Sequence, residues 1–327
     1  MHIPDGFLDV KTLTVTAALS TSGLVMAARQ VNRNLPPNKI PLMGLGAAFV
    51  FAAQMINFPV AGGSSGHLLG GVLTAVLLGP GAAAVVITCV LVVQALLFSD
   101  GGLLTLGANI FNIAFISTIG GWFIYKLVSR FLRNFAGQIT ATFFAAWCSV
   151  LLAAMACAGE LSYSGTVSPE IVFPAMTSVH LLIGLGEGLI TSLVVLTIHR
   201  ARPELLEPSQ PSENSAGFGE FIFYGLLAVL GLALFVSPYA SSWPDGLDKV
   251  AEQFGFAGQA RETIKGWFAD YKISGVSSAA LATGLAVVIG AGLMFGLAWL
   301  AGRFLAAERK TAVSKNRNPK NPNPSQY

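Results

Sequence analysis

Eight uninterrupted apolar runs of membrane-spanning length divide this chain, at residues 12–29, 40–58, 81–98, 109–127, 138–158, 171–198, 217–238 and 279–302. A bilayer core takes about 20 apolar helical residues to cross. Inside it the backbone must satisfy its own amides and carbonyls, which leaves helices or closed barrels as solutions. Barrels show short alternating segments rather than long continuous runs. The charge content points the same way. Only 11% of the 327 residues are charged, against about 25% in a soluble domain, which is too little to cover a soluble globule. The expected fold class is an all-α polytopic membrane protein.

One shorter apolar segment, 66–79 (GHLLGGVLTAVLLG), is re-entrant by length alone. The distribution of basic residues decides its reading, because Lys and Arg gather on the cytoplasmic side. They follow the first run (Arg29, Arg33, Lys39), the run 109–127 (Lys126, Arg130, Arg133) and the run 171–198 (Arg200, Arg202), and they recur in the tail from Arg303 to Lys320. The connections 59–65, 99–108 and 159–170 contain none. These groups fall on one side only if 66–79 also crosses. The expectation is about nine transmembrane helices, with the N-terminus outside and the C-terminus cytoplasmic.

The same pass divides the chain. Residues 1–202 carry seven spans. Residues 203–216 (PELLEPSQPSENSA, from Pro203) read as a polar cytoplasmic linker. Residues 217–306 form a helical hairpin with an external loop at about 239–278, and 307–327 read as a disordered basic tail. A short echo joins the two parts: PDGFLDV at Pro4–Val10 resembles PDGLDKV at Pro244–Val250. Pro-Asp-Gly favours turns, so the echo is either a recurrent turn before a helix or two pieces that meet in an outer vestibule.

The first two residues carry the chemistry. No basic n-region precedes the first apolar run, and the first charges are Asp5 and Asp9, so no signal peptide is expected. The bulky His2 should keep Met1 in place. A free α-amine, the amide nitrogen of residue 2 and the imidazole of His2 can close fused chelate rings around one ion. Tetragonal nitrogen fields suit Ni(II) and Cu(II), and Pro4, having no amide proton, stops further backbone chelation. A fourth position remains. His67, in AGGSSGHLLGG, is expected on the same outer side as His2, a convergence that used only Lys and Arg to fix the topology. Equally, a second-position His arises by chance, and His67 can simply bond a carbonyl.

Other polar groups have plainer readings. His180 and Glu187 lie seven apart on one helix face. An intramembrane carboxyl usually faces the protein interior, where it either orients a ligand or supports packing. Gln94, Asn109 and Asn112 more often bind helices together than hold ligands, and His199 reads as interfacial. Cys89, Cys148 and Cys157 lie in apolar segments and read as small hydrophobes. The sequence has no G-x-x-x-x-G-K-[ST] loop and no H-E-x-x-H.

Several stretches in order, MHIPDGFL, GGSSGHLLGG, LGP, LVVQALLFSDGGLLTLGANIFN and HLLIGLGEG, resemble the CbiM/NikM family, the substrate-specific (S) components of energy-coupling-factor (ECF) ABC transporters for cobalt and nickel. The resemblance covers nearly all of residues 1–200. The C-terminal hairpin with WPDGLD resembles the PDGLE/NikN-type accessory domain, with Asp248 where the motif name has Glu. The resemblance implies a seven-helix S-component bundle plus the hairpin. It implies Ni²⁺ or Co²⁺ as the transported substrate, held by the Met1 amine, the amide and imidazole of His2 and the imidazole of His67. His180, Glu187, Asn109 and Gln94 are candidates for the surrounding shell. The implied partners are a transmembrane coupling protein of the CbiQ/NikQ type and cytosolic ABC ATPases of the CbiO/NikO type. The implied location is the prokaryotic cytoplasmic (inner) membrane, and no catalytic residue is expected. Three other classes remain open from the residues: a proton-coupled secondary transporter using Glu187, a membrane-embedded metalloenzyme, and a structural subunit that binds no metal.

Overall fold

In the computed structural model the first helix, α1 (Val10–Asn34), starts where Asp9 caps it, accepting from the Thr12 amide at 2.9 Å. The structure describes residues 1–206 and 217–316. After α1 come α2 (Ile40–Met55), a two-stranded antiparallel ribbon of β1 (Phe58–Val60) and β2 (Ser64–Gly66), α3 (Gly71–Leu78) and α4 (Pro80–Val93), which runs on as a π-turn to Phe98. A short α5 (Leu106–Asn109) passes through a π-helix at Ile110–Ser117 into α6 (Thr118–Phe131), one rod of 26 residues. The long pair α7 (Phe135–Tyr163) and α8 (Pro169–Ala201) follows. The C-terminal unit consists of α9 (Phe218–Gly231), α10 (Gly246–Gln253) and α11 (Ala279–Asn316).

Among the described residues, seven helices are long and apolar enough to cross a membrane: 10–34, 80–98, 106–131, 135–163, 169–201, 218–239 and 279–306. The 16 residues of α2 make a rod of about 24 Å, and the ribbon extends its reach. The shorter apolar segment 66–79 is not a membrane helix throughout, because α3 has only eight residues, about 12 Å of rise. Residues 66–79 nevertheless traverse the bundle beside α2. Gly66 pairs with Phe58 just past one end of α2, and the Leu77 carbonyl accepts from Lys39 Nζ, 3.0 Å away, at the other.

Half of this crossing is irregular backbone, which survives at membrane depth only where protein covers it. Glu187 on α8, fully buried, accepts from the Leu69 amide at 2.6 Å and the Gly70 amide at 3.0 Å. Gln54 Nε2 donates to the Leu69 carbonyl at 2.9 Å. These bonds replace the helical ladder that residues 67–70 lack.

The most extensive helix contacts are α7 with α8 and α2 with α11. In the first pair, Gly184 and Gly188 of α8 lie so close to Trp147 and Phe143 of α7 that an added Cβ would stand 2.6 and 2.9 Å from those rings, and small residues let neighbouring helices approach closely. The second pair ties the C-terminal unit to the bundle. The last helix, α11, continues to Asn316. Residues 317–327 and most of the expected linker, 207–216, lie outside the described residues.

Candidate metal centre

The amino-terminal residues do not lie on the surface. Met1, His2, Ile3, Asp5 and Phe7 are all buried, so residues 1–7 form a plug inserted between the bundle and the C-terminal unit. Ordering seven backbone residues opposes this by about 1–2 kcal/mol each, and a dense set of bonds offsets it. Asn109 grips Ile3 twice, accepting from its amide at 2.7 Å and donating to its carbonyl at 3.0 Å. The Thr105 hydroxyl and the Gly102 amide donate to the same carbonyl at 2.6 and 3.0 Å. The Asp5 carboxylate accepts from the amides of Leu103, Leu104 and Thr105 at 3.2, 2.8 and 3.1 Å, and from the Thr263 hydroxyl. The Arg261 amide donates to the Asp5 carbonyl at 2.8 Å. Only glycine fits position 6, where φ is +95° and a Cβ would lie 2.1 Å from the Gln259 carbonyl oxygen.

At the tip of the plug, the Met1 amine lies 2.8 Å from His67 Nε2 and 2.6 Å from Asp245 Oδ2. His67 Nδ1 faces the Leu68 carbonyl at 3.1 Å. A carbonyl only accepts, so Nδ1 carries the proton and the Nε2 lone pair points at the amine. Asp245 also caps α10, its other oxygen accepting from the amides of Leu247 and Asp248 at 2.8 and 2.9 Å.

His2 Nδ1 donates to Asp100 Oδ1 at 2.9 Å, its Nε2 is buried without a partner, and its ring stacks parallel to that of His67 with centroids 5.2 Å apart. Asp100 Oδ2 accepts from the Tyr271 hydroxyl at 2.6 Å, and Gln94 Nε2 donates to that hydroxyl oxygen at 3.0 Å.

The charges are arranged around the amine. Burial alone would raise the Asp245 carboxyl, but the Met1 amine and His67 hold it well below the usual carboxylate range. Burial likewise opposes ionisation of Asp100, and His2 outweighs it, again leaving the carboxyl low. Asp248 moves the other way, pushed up first by the neighbouring Asp245 carboxylate and then by burial. A cavity of about 400 Å³ opens beside this group, lined by His2, His67, Asp100, Asp245, Asp248 and Tyr271 among others. Among the described residues no three His, Cys, Asp or Glu side chains surround one point closely enough to hold an ion. Any ion at the plug would need the backbone nitrogens as donors.

Of the residues singled out from the sequence, Met1, His2 and His67 converge here. Asn109 reaches them by gripping Ile3. Gln94 stands further back, behind Tyr271. Glu187 bonds the backbone two and three residues beyond His67. His180 is occupied with the Met176 carbonyl, 2.7 Å from its Nδ1, and packs so tightly on Gly246 that a Cβ there would lie 2.7 Å from its ring. Asn112 donates to Glu160 at 2.7 Å, and His199 stacks on Phe135. The three cysteines are free. Sequence reasoning passed over Asp5, Asp100, Asp245 and Tyr271. The repeated Pro-Asp-Gly was a signal for Asp5 and Asp245, but the two copies take different partners: Asp245 bonds the Met1 amine, while Asp5 bonds Arg261 and Thr263 further along the chain. Asp100 and Tyr271 lie in separate loops 171 residues apart and carry no pattern of their own.

Comparison with known proteins matches the same two parts of the chain. Residues 2–205 match the family described as cobalt uptake substrate-specific transmembrane region (CbiM), and residues 219–307 match the PDGLE domain. A putative fused nickel transport protein NikMN of Archaeoglobus fulgidus is 32% identical, covering 93% of this chain and 99% of the relative. A putative metal transport protein of Haloquadratum walsbyi is 36% identical over 208 residues, 63% of this chain but 93% of the relative. A crystal structure of a transition metal transporter is 35% identical with a TM-score of 0.58, covering 65% of this chain and all of that one.

Proposed function

We propose, from the premise that this chain belongs to the CbiM family of cobalt-uptake substrate-specific transmembrane regions with a PDGLE domain fused behind it, that it is the substrate-binding subunit of an ECF-type importer for Ni²⁺ or Co²⁺. The ion binds at the plug. Its four donors are the Met1 amine, the His2 amide nitrogen, His2 Nδ1 and His67 Nε2. The first three close a five-membered and a six-membered chelate ring. Nε2 of His2 cannot take part in them, since it points away from its own Cβ. One observation carries the reading: the amine and His67 Nε2 are 2.8 Å apart. Two nitrogens at right angles around an ion, each bonded at about 2.0 Å, stand about 2.8 Å apart.

Binding requires the amine and the amide to lose their protons, so affinity falls as pH drops. In this reading the plug faces outside and the tail faces the cytoplasm, in a prokaryotic cytoplasmic membrane. The sequence has no phosphate-binding Gly-rich loop, so ATP is hydrolysed by cytosolic ABC subunits acting through a transmembrane coupling protein. Glu187 is poorly suited to relaying protons, because both of its oxygens accept backbone amides.

The test is nickel titration of the purified protein with Met1 as its mature terminus, followed by absorption. The expected result is a yellow square-planar band that is lost when one residue precedes Met1 or when His2→Ala is made, and that His67→Ala weakens strongly. Unchanged nickel affinity in the extended protein or in His2→Ala refutes the site.

A further inference from the structure

We infer that Asp100, held by Tyr271 of the C-terminal unit, is a latch on His2 that must open before the ion is chelated, so that the C-terminal unit sets the rate of loading. This rests on the amino-terminal chelate proposed above. In the structure, the His2 nitrogen that chelation requires is engaged by Asp100. Nδ1 donates to Asp100 Oδ1 at 2.9 Å, and a nitrogen that is donating its proton has no lone pair for an ion. Loading therefore requires the imidazole to leave Asp100 and turn about its Cβ–Cγ bond. The proton on Nδ1 passes to water and Nε2 carries one, which leaves the Nδ1 lone pair for the ion. Nε2 is free to carry it, being buried without a partner.

Asp100 does not follow the ring, because its other oxygen is fixed. The Tyr271 hydroxyl donates to Oδ2 at 2.6 Å, and Gln94 steadies that hydroxyl at 3.0 Å. The backbone supports the arrangement at a price in strain. Among the described residues, three non-glycine positions have left-handed φ: Ser99 at 55°, Asp270 at 54° and Tyr271 at 55°. All three are Tyr271 itself or a chain neighbour of Asp100 or Tyr271. Such conformations are held only where the surroundings over-determine them, and they gather at switch and ligand sites. Here they turn the two loops toward each other, so that a residue from the C-terminal unit reaches a carboxylate that touches the chelating histidine. Asp100 and Tyr271 act through His2 and are positioning residues.

Stopped-flow mixing of nickel with the full-length protein, followed at the square-planar band, separates encounter from latch opening. At saturating nickel the observed rate reaches a plateau that no longer depends on collision or on electrostatic attraction of the cation. It then reports the unimolecular turn of the ring. The expected result is a saturating wild-type rate and an unchanged band position in every variant. Asp100→Asn should raise the plateau about tenfold, the lower end for a hydrogen bond to a charged group. Tyr271→Phe should raise it several-fold, and Asp100→Glu, which keeps the carboxylate, should fall back toward wild type. A merely structural role would shift the band or lower the bound fraction without speeding the plateau. A wild-type rate that never saturates, or a plateau unmoved or lowered in Tyr271→Phe and Asp100→Asn with the band intact, overturns the latch alone. A wild-type protein without an amine-dependent band overturns the chelate and the latch together.

Discussion

Replacing Glu187 by Gln tests what holds the irregular crossing that presents His67. The carboxylate accepts from two backbone amides, Leu69 and Gly70, at 2.6 and 3.0 Å, with no exposure to solvent. A hydrogen bond to a charged group contributes about 1.5–3 kcal/mol, and an orphaned buried donor costs about 1–3 kcal/mol. In Glu187→Gln one oxygen becomes an NH₂ group facing an N–H. One bond is lost and the other becomes neutral, for an expected destabilisation of about 2–3 kcal/mol. Glu187→Ala orphans both amides and should reach about 3–5 kcal/mol by the same reckoning. Leu69 lies two residues beyond His67, so loosening here moves the proposed fourth metal donor. If half of the Gln effect falls on the site, nickel affinity drops about tenfold, since 1.4 kcal/mol is a factor of ten. Denaturant unfolding in detergent measures the first quantity and nickel titration the second. A Gln variant within about 0.5 kcal/mol of wild type, with normal affinity but no transport, would refute the backbone-brace argument and favour a proton relay instead.

Two further outcomes follow from the plug. Asp5→Asn places an NH₂ group among three backbone donors and the Thr263 hydroxyl. It should speed hydrogen exchange at the Ile3 and Leu104 amides and lower nickel affinity at least tenfold while the helices stay folded; unchanged exchange at Ile3 refutes it. The second outcome concerns pH. Asp100 and Asp245 have folded-state values below the unfolded value of about 3.9. Their contribution to docking is thus fully present above about pH 4 and is lost only as pH falls through the lower folded values. The metal donors need the opposite, since protons compete with the ion. At pH 5 the site should be empty of nickel while Ile3 remains protected from exchange. Simultaneous loss of nickel and of Ile3 protection would refute that separation.

The membrane helices were legible because hydropathy and length decide them, and, the C-terminal end of α11 apart, the ends of the predicted runs lie within a few residues of the helix ends. The broken third crossing was harder. GHLLGGVLTAVLLG is apolar throughout, and hydropathy does not distinguish a helix from extended chain that a neighbour satisfies. The missing information was a carboxylate on α8, 117 and 118 residues further along the chain. That Met1, His2 and His67 come together was legible because chelate-ring chemistry is local and a partner for it could be sought among four histidines. Asp100 and Tyr271 were not, because a polar residue in a loop declares no partner until the fold supplies one.

The place of the C-terminal unit follows from the entropy of a free terminus. The bundle alone holds residues 1–7 through Asn109, Thr105, Gly102 and the loop amides around Asp5. The C-terminal unit adds the Asp245 carboxylate on the amine, Thr263 and Arg261 on Asp5, and Tyr271 behind Asp100. It also braces the ribbon that leads into His67, since the Pro244 carbonyl accepts from the Ser65 amide at 2.8 Å. Of these contacts, Asp245 and Tyr271 act at the amine and at His2, two donors of the proposed chelate. Under that proposal the unit does two opposed things. It pre-orders the plug, which removes an entropic cost from binding, and it occupies the donors, which slows their release to the ion.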